Sequence, residues 1–236
     1  LWLGTAPERP FAPGIYHPSK WRAWQDFGTG WSGDIGCHVF DASWKAIGLT
    51  APKTVHATVQ ESWRQSQPRR ADTWPQSDHI TWTFPGTPLT EKDELTVEWF
   101  DGRMYPPEEA KKWYPGTTYP PESALMIGTE GAILIPNGGG AMLLPRDKYK
   151  GTAQPKLEAR NHYHHFLDAI IGNAKNESFF EQTGPMTEAI LLGTVAIRNP
   201  GEKLNWDAKN LAITGNPLAH KLLKREYRRG WQVAGF

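Results

Sequence analysis

The stretch that most constrains the fold of this chain runs from Gly28 to Leu49 and reads GTGWSGDIGCHVFDASWKAIGL. Its closely spaced glycines predict a tight turn, and the residues after them predict a helix over about 34–48. Asp34, His38 and Asp41 follow at i, i+4 and i+7, so they share one face of that helix. A neighbouring stripe of less polar side chains can pack into a core: Cys37, Phe40, Trp44 and Ile47.

This polar face has two interpretations. In the structural one, Asp34 caps the helix and His38 forms a polar pair with Asp41. In the functional one, the same side chains form a site that handles protons and hydroxyl groups. Cys37, the one cysteine of the chain, is a candidate nucleophile beside His38. We expect it to be a small buried core residue instead, because no other basic residue is grouped with it.

The spacing D-x-G-x-H-x-x-D from Asp34 to Asp41, followed by an apolar helix, resembles one helix of a known enzyme family. This helix opens the C-terminal domain of the glucose–fructose oxidoreductase / inositol dehydrogenase / MocA family. The resemblance implies an α+β fold like the C-terminal domain of dihydrodipicolinate reductase. It also implies that Asp34 and His38 belong to the substrate and proton-transfer site.

Both ends of the chain extend this resemblance. WLGTAPERPF and YHPSKWRAWQDFGTG at the start are similar to a bacterial, often exported branch of the family, as are HYHHFLDAI, TEAILLGTVAIR, LNWDAKN and REYRRGW near the end. The resemblance implies an NAD or NADP cofactor held by an N-terminal Rossmann domain. GTGWSG at 28–33 matches the letters of a dinucleotide-binding loop but follows no predicted strand. We therefore expect a fragment that lacks the Rossmann domain upstream and catalyses nothing alone; the compartment, periplasm or cytoplasm, stays open.

Charge and hydropathy exclude several classes of partner. The 236 residues carry a formal net charge of +1, which gives no reason to expect nucleic acid or an anionic membrane as a partner. No apolar run is long enough to cross a bilayer. A single cysteine excludes an internal disulfide framework. The twelve tryptophans suit both core packing and stacking on carbohydrate.

Apolar and polar residues alternate in the middle of the chain, as in half-buried strands of an antiparallel sheet. We predict strands in 54–60, 80–84 and 95–99, then two or three more in 123–144 with turns at GTEG and NGGG. The sequence thus predicts an open, mostly antiparallel sheet of five or more strands with helices on one face. We expect the other face, rich in Thr, Trp and Val, to form a dimer or tetramer.

The chain reads as one substrate-binding and oligomerisation domain. We divide it into a loop arm (1–30), the site helix (31–50), a sheet with long loops (53–146) and a helical return (155–236). Aromatic residues are expected to pin the arm to the body: Trp2, Phe11, Tyr16, Trp21 and Trp24. The return predicts helices over 158–172 and 185–199 and a basic, solvated helix at the end.

His38 and Asp34 are the expected catalytic residues, with His38 taking the proton and Asp34 orienting it or binding a hydroxyl. Residues expected on the substrate side are Asp41, Trp31, Lys20, Arg160, His162 and His165. A metal held by His38, His162 and His165 is the alternative, but no H-E-x-x-H spacing supports it, so we predict no metal.

The leading hypothesis is the substrate-binding part of an NAD(P)-dependent oxidoreductase acting on a sugar, polyol or related carbohydrate. An NAD-dependent glycoside hydrolase of the same fold is an alternative that no residue separates from it. A non-catalytic carbohydrate-binding or interaction domain is the third, and it would not need Asp34 and His38 on one face.

Overall fold

The structure is a computed structural model that describes residues 2–114, 118, 120–153 and 155–235. After a 3-10 turn at Lys20–Ala23, the helices are α1 (Gly30–Ile47), α2 (Glu61–Arg64), α3 (Gln67–Asp72), α4 (Glu108–Lys111), α5 (His162–Ile170), α6 (Phe180–Arg198) and α7 (Pro217–Lys221). The strands are β1 (Thr54–Val59), β2 (Asp78–Pro85), β3 (Glu94–Phe100), β4 (Ser123–Ile127), β5 (Ala132–Pro136), β6 (Met142–Leu144), β7 (Leu204–Asp207) and β8 (Ala212–Thr214).

The central feature is a five-stranded antiparallel sheet in the order β3-β2-β1-β7-β8. Its register places Val55 opposite Trp82 and Trp82 opposite Val97, so the apolar residues of neighbouring strands lie on one face. The expected mixture of helices with an antiparallel sheet of five strands is therefore confirmed.

The middle of the chain forms two sheets, whereas we expected one over 53–146. β4, β5 and β6 make a separate three-stranded sheet with its own small core around Leu134 and Leu144. β7 and β8, from near the end of the chain, complete the larger sheet instead. The connection over 101–122 is long enough to carry β4 away from the edge of β3; residues 115–117 and 119 of that predicted loop lie outside the described residues.

Helices α1 and α6 cover one face of the large sheet. The Phe40 and Trp44 rings of α1 pack edge-on against Phe84 of β2, with ring centroids 6.1 and 5.8 Å apart. The predicted helix is confirmed and stops at Gly48, but it starts at Gly30, four residues earlier than expected. The core thus fixes which side of α1 faces the sheet and which side faces outward.

The open face of the large sheet is polar. His79 contacts Glu98 at 2.8 Å and stacks on the Phe100 ring at 4.3 Å, with Thr81 and Thr83 beside them. The expectation of a face rich in Trp and Val is wrong, because alternation along each strand turns those residues towards α1 and α6.

Helix α5 exposes an apolar stripe. It begins at His162 rather than 158, since Asn161 caps it by accepting hydrogen bonds from two backbone N–H groups at 3.0 Å. None of its residues is buried, and four large apolar side chains lie on one exposed face: Tyr163, Phe166, Leu167 and Ile170. Helix α6 begins at Phe180, before the expected start at Pro185. In the ranges that the structure describes, no helix is long and apolar enough to span a bilayer.

The two ends of the chain are joined by hydrogen bonds and ion pairs. Only Pro217–Lys221 of the expected basic terminal helix is helical. Beyond it, Arg225 bonds Asp26, and Arg228 bonds Glu8 and the Gly4 carbonyl, so these arginines hold the arm and do not form a solvated face.

Inside the arm, the Arg9 guanidinium packs among aromatic rings. Arg9 lies over the Tyr16, Trp24 and Phe27 rings at 5.2–5.8 Å. Phe11 was expected to attach the arm to the body, but its side chain is 83% exposed and does not do so. The aromatic residues of the arm therefore stabilise the arm itself as much as they attach it to the body.

Candidate functional site

The outward side of α1 carries four polar side chains, which we call the α1 polar face: Asp34, His38, Asp41 and Lys45. They repeat at intervals of three or four residues, so they form one line along the helix. Phe40 and Trp44, on the neighbouring stripe, pack into the core and fix the rotation of the helix. The polar face is accessible as a result of how the core is filled.

Arg22 holds Asp34. Its Nε atom lies 2.9 Å from Asp34 Oδ2, although the Nε–H has no aligned hydrogen-bond acceptor, so the contact is an ion pair. The Arg22 guanidinium also lies over the rings of Trp21 and Trp31, at 5.6 and 5.4 Å. Both charged side chains are partly shielded from water.

Two glycines bring Arg22 to this place. Gly28 allows close approach, because a Cβ there would lie 2.7 Å from the Arg22 Cα. Gly30 adopts a φ of +74° and packs against the Trp74 ring, while the Trp74 indole donates to the Gly28 carbonyl at 2.8 Å. The glycine-rich segment therefore closes the arm onto the start of α1.

His38 lies one turn beyond Asp34 and is exposed, with no hydrogen-bond partner among the described residues. Cys37 is exposed as well, with its thiol 3.7 Å from the Asp34 carbonyl. Our expectation of a buried Cys37 is wrong, because Phe40 and Trp44 set the buried side of α1 and Cys37 falls outside it. His38 is open to a ligand.

Asp41 is already engaged by protein groups. Gln182 Nε2 donates to its Oδ1 at 2.8 Å, and Lys45 Nζ approaches its Oδ2 at 3.3 Å. Lys45 also donates to the Glu177 carbonyl at 3.0 Å. Asp41 thus links α1 to α6, and the predicted His38–Asp41 pair is not formed.

The remaining predicted residues are only partly brought together. Arg160 Nη1 contacts His165 Nε2 at 3.0 Å and Glu177 Oε1 at 3.3 Å. Because Lys45 bonds the Glu177 carbonyl, Arg160 and His165 lie near the Lys45 end of the α1 polar face. His162 is exposed beside Tyr163. Lys20 donates to the Gly14 carbonyl at 2.7 Å, within its own arm. Trp31 is 40% exposed beside Arg22. Within the described ranges, no three His, Cys, Asp or Glu side chains are placed to hold a metal ion.

The sequence pattern did not reveal a neighbouring pair of carboxyl groups: Asp78, which is buried, and Asp101, which is half-buried. Asp101 Oδ1 accepts the Asp78 backbone N–H at 2.9 Å, and Asp101 Oδ2 accepts the Trp99 indole N–H at 3.2 Å. Asp78 Oδ1 is buried without a partner. Burial, and then the neighbouring Asp101 carboxylate, raise the pKa of Asp78 well above its usual range. Burial raises the pKa of Asp101 too. The sequence signal for this pair is Asp78 itself, an aspartate at a core-facing position of an alternating strand.

Replacing Gly28 by alanine is expected to lower the free energy of unfolding by about 1–3 kcal/mol, since the new methyl group forces the Arg22 backbone away. Urea denaturation followed by circular dichroism measures it. Gly184→Ala in α6 is the control: its methyl group meets open space, so it should be neutral or stabilising by up to about 1 kcal/mol. Equal effects of the two substitutions would contradict the close approach at Gly28.

No protein-family model matches this chain, and no curated protein shows significant similarity to it.

Proposed function

We propose that this chain is the substrate-binding part of an NAD(P)-dependent oxidoreductase that acts on a sugar, a polyol or a related carbohydrate. The observation that carries the proposal is the placement of Asp34 and His38 one turn apart on an open helix face, with Asp34 paired to Arg22. The resemblance of the D-x-G-x-H-x-x-D segment to the oxidoreductase family supports it, as does the antiparallel sheet with helices on one face.

The proposed roles follow from the chemistry of each group. The exposed His38 ring can take the proton of a substrate hydroxyl. Asp34 accepts a hydrogen bond from a second hydroxyl, and its position is held by Arg22. Trp31, partly exposed beside Arg22, offers an apolar surface for the C–H groups of a sugar ring.

The described residues do not fit a dinucleotide. All pairings within both sheets are antiparallel, whereas a Rossmann site needs parallel strands joined by a helix. The GTGWSG letters lie in the turn into α1 and follow no strand. The nicotinamide therefore belongs on another domain or chain, which supplies the group that accepts hydride.

A homo-oligomer, dimer or tetramer, through the open sheet face is part of the proposal. The residues that support it are polar and share that face: Thr81, Thr83, His79 and Glu98. Such a surface would pair through hydrogen bonds more than through apolar contact.

Ligand binding to the α1 polar face tests the function. We expect myo-inositol, sorbitol or glucose to shift the His38 imidazole signals in nitrogen-15 NMR, with a saturable dissociation constant. Asp34→Asn and His38→Gln should each weaken binding by about tenfold, the effect of losing one hydrogen bond to a charged or polar group.

His164→Gln is the matched control, since His164 is an exposed histidine of α5 outside the α1 polar face. It should bind as the unmodified chain does. If sugars bind while both Asp34 and His38 variants keep full affinity, the oxidoreductase site is wrong and a carbohydrate-binding module is the better description.

A further inference from the structure

An open groove lies where the arm meets the segment after α7 that carries Arg225, outside the α1 polar face. It is widely open to solvent and offers a volume of about 430 Å³. Its lining includes Trp2, Trp21, Asp26, Phe27 and Arg225.

One wall of the groove is aromatic and braced. Trp2 packs against Phe27 and Tyr16, with ring centroids 5.0 and 6.2 Å apart, and Tyr16 in turn contacts Phe27 at 5.3 Å. Trp2 nevertheless remains 55% exposed. A ring held from one side and open on the other can stack on the C–H face of a sugar ring with little loss of side-chain entropy.

The other wall is an ion pair between Arg225 and Asp26. Arg225 Nη2 donates to the Asp26 carbonyl at 3.0 Å and approaches Asp26 Oδ1 at 3.3 Å. Arg9 holds the other oxygen of Asp26. The Arg225 side chain is partly exposed and lines the groove. Adjacent donors and acceptors of this kind match neighbouring hydroxyl groups.

The charges at this wall are largely paired. Arg9 and Arg225 face Asp26 and Asp72, which lies 3.0 Å from Arg9. Arg198 lies close enough to Arg225 for their repulsion, after burial, to lower the pKa of Arg198. A polyhydroxylated ring satisfies both the indole and the ion pair without adding charge.

The groove and the α1 polar face meet at two consecutive residues. Trp21 lines the groove, and Arg22 stacks on Trp21 while pairing with Asp34. We infer that the groove binds a second sugar ring, so that the ligand is a disaccharide, oligosaccharide or glycoside whose first ring lies at Asp34 and His38. The position of that first ring rests on the proposed function.

Calorimetric titration tests the inference with glucose, mannose and N-acetylglucosamine, each as the monosaccharide and as its β-1,4-linked disaccharide. One disaccharide should bind at least about tenfold more tightly than its monosaccharide. Trp2→Ala and Arg225→Ala should each abolish that gain and leave monosaccharide affinity unchanged. Phe11→Ala, an exposed aromatic of the arm outside the groove, is the control and should keep the gain.

This experiment can contradict the proposal for the groove and the proposal for the α1 polar face independently of each other. Equal affinity for mono- and disaccharides, or a gain that survives Trp2→Ala, overturns the second-ring site while the proposed function stands. A gain that depends on Trp2 and Arg225 but not on Asp34→Asn supports the groove and removes the proposed function. Absence of all carbohydrate binding overturns both. Circular dichroism of each variant verifies that it folds.

Discussion

Replacing Trp82 by alanine is expected to lower the free energy of unfolding by about 3–5 kcal/mol, the range for removing a large aromatic ring from a core. Trp82 is 3% exposed and lies between β2 and α6. Its indole N–H donates to the Ala189 carbonyl at 2.8 Å, and its ring lies against Gly193, where a Cβ would come within 2.8 Å. The neighbouring turns of α6 cannot collapse into the space without breaking their own packing. Urea denaturation measures the loss.

Trp82→Phe separates the hydrogen bond from the ring. It keeps an aromatic ring in the core but gives up the bond to Ala189, so we expect a loss of about 1–2 kcal/mol. An alanine variant as stable as the phenylalanine variant would show that the ring contributes little to joining the helix to the sheet.

Asp78→Asn is expected to stabilise the chain at neutral pH by about 1–3 kcal/mol, because it removes a carboxylate charge that is buried without a partner beside Asp101. The pKa of Asp78 is raised in the folded state, while an unfolded aspartate titrates near about 3.9. As pH rises above that value, the unfolded chain releases the proton before the folded chain does. The folded state therefore loses stability with rising pH, until the pH exceeds the raised pKa.

Asp78→Asn should remove most of this dependence of the free energy of unfolding on pH. Its advantage over the unmodified chain is expected to be near zero at pH 3 and to grow through pH 7, as measured by denaturation at a series of pH values. Asp147→Asn, at an exposed carboxylate, is the control and should track the unmodified chain at every pH. A constant difference between Asp78→Asn and the unmodified chain at all pH values would show that Asp78 does not carry the proton.

Local patterns predicted the elements and missed most of the contacts between distant parts of the chain. The alternation in 54–59 and 80–84 and the stop at Gly48 involve neighbouring residues, and these predictions are confirmed. The division into two sheets depends on which strands pair after long connections, and no local pattern encodes that choice.

The candidate site shows the same division. The spacing of Asp34 and His38 could be read from the sequence because one helix carries both. The Arg22 partner could not, since it depends on the arm folding back at Gly28. The bond from Arg225 to Asp26 joins residues 199 positions apart. Asp78 and Asp101 meet only because the pairing of β2 with β3 brings the two strand ends together.

Helix α5 has a consequence for the dynamics of the chain. With nine residues, none of them buried, it draws its stability from the Asn161 cap and its own backbone hydrogen bonds. A helix of that length in water lies near the balance between helix and coil. Binding of a partner surface to the exposed stripe would shift that balance towards helix; the stripe consists of Tyr163, Phe166, Leu167 and Ile170. The free energy needed to order the helix would then weaken the binding by the same amount. The amide exchange rates of α5 should therefore report directly whether the stripe is covered.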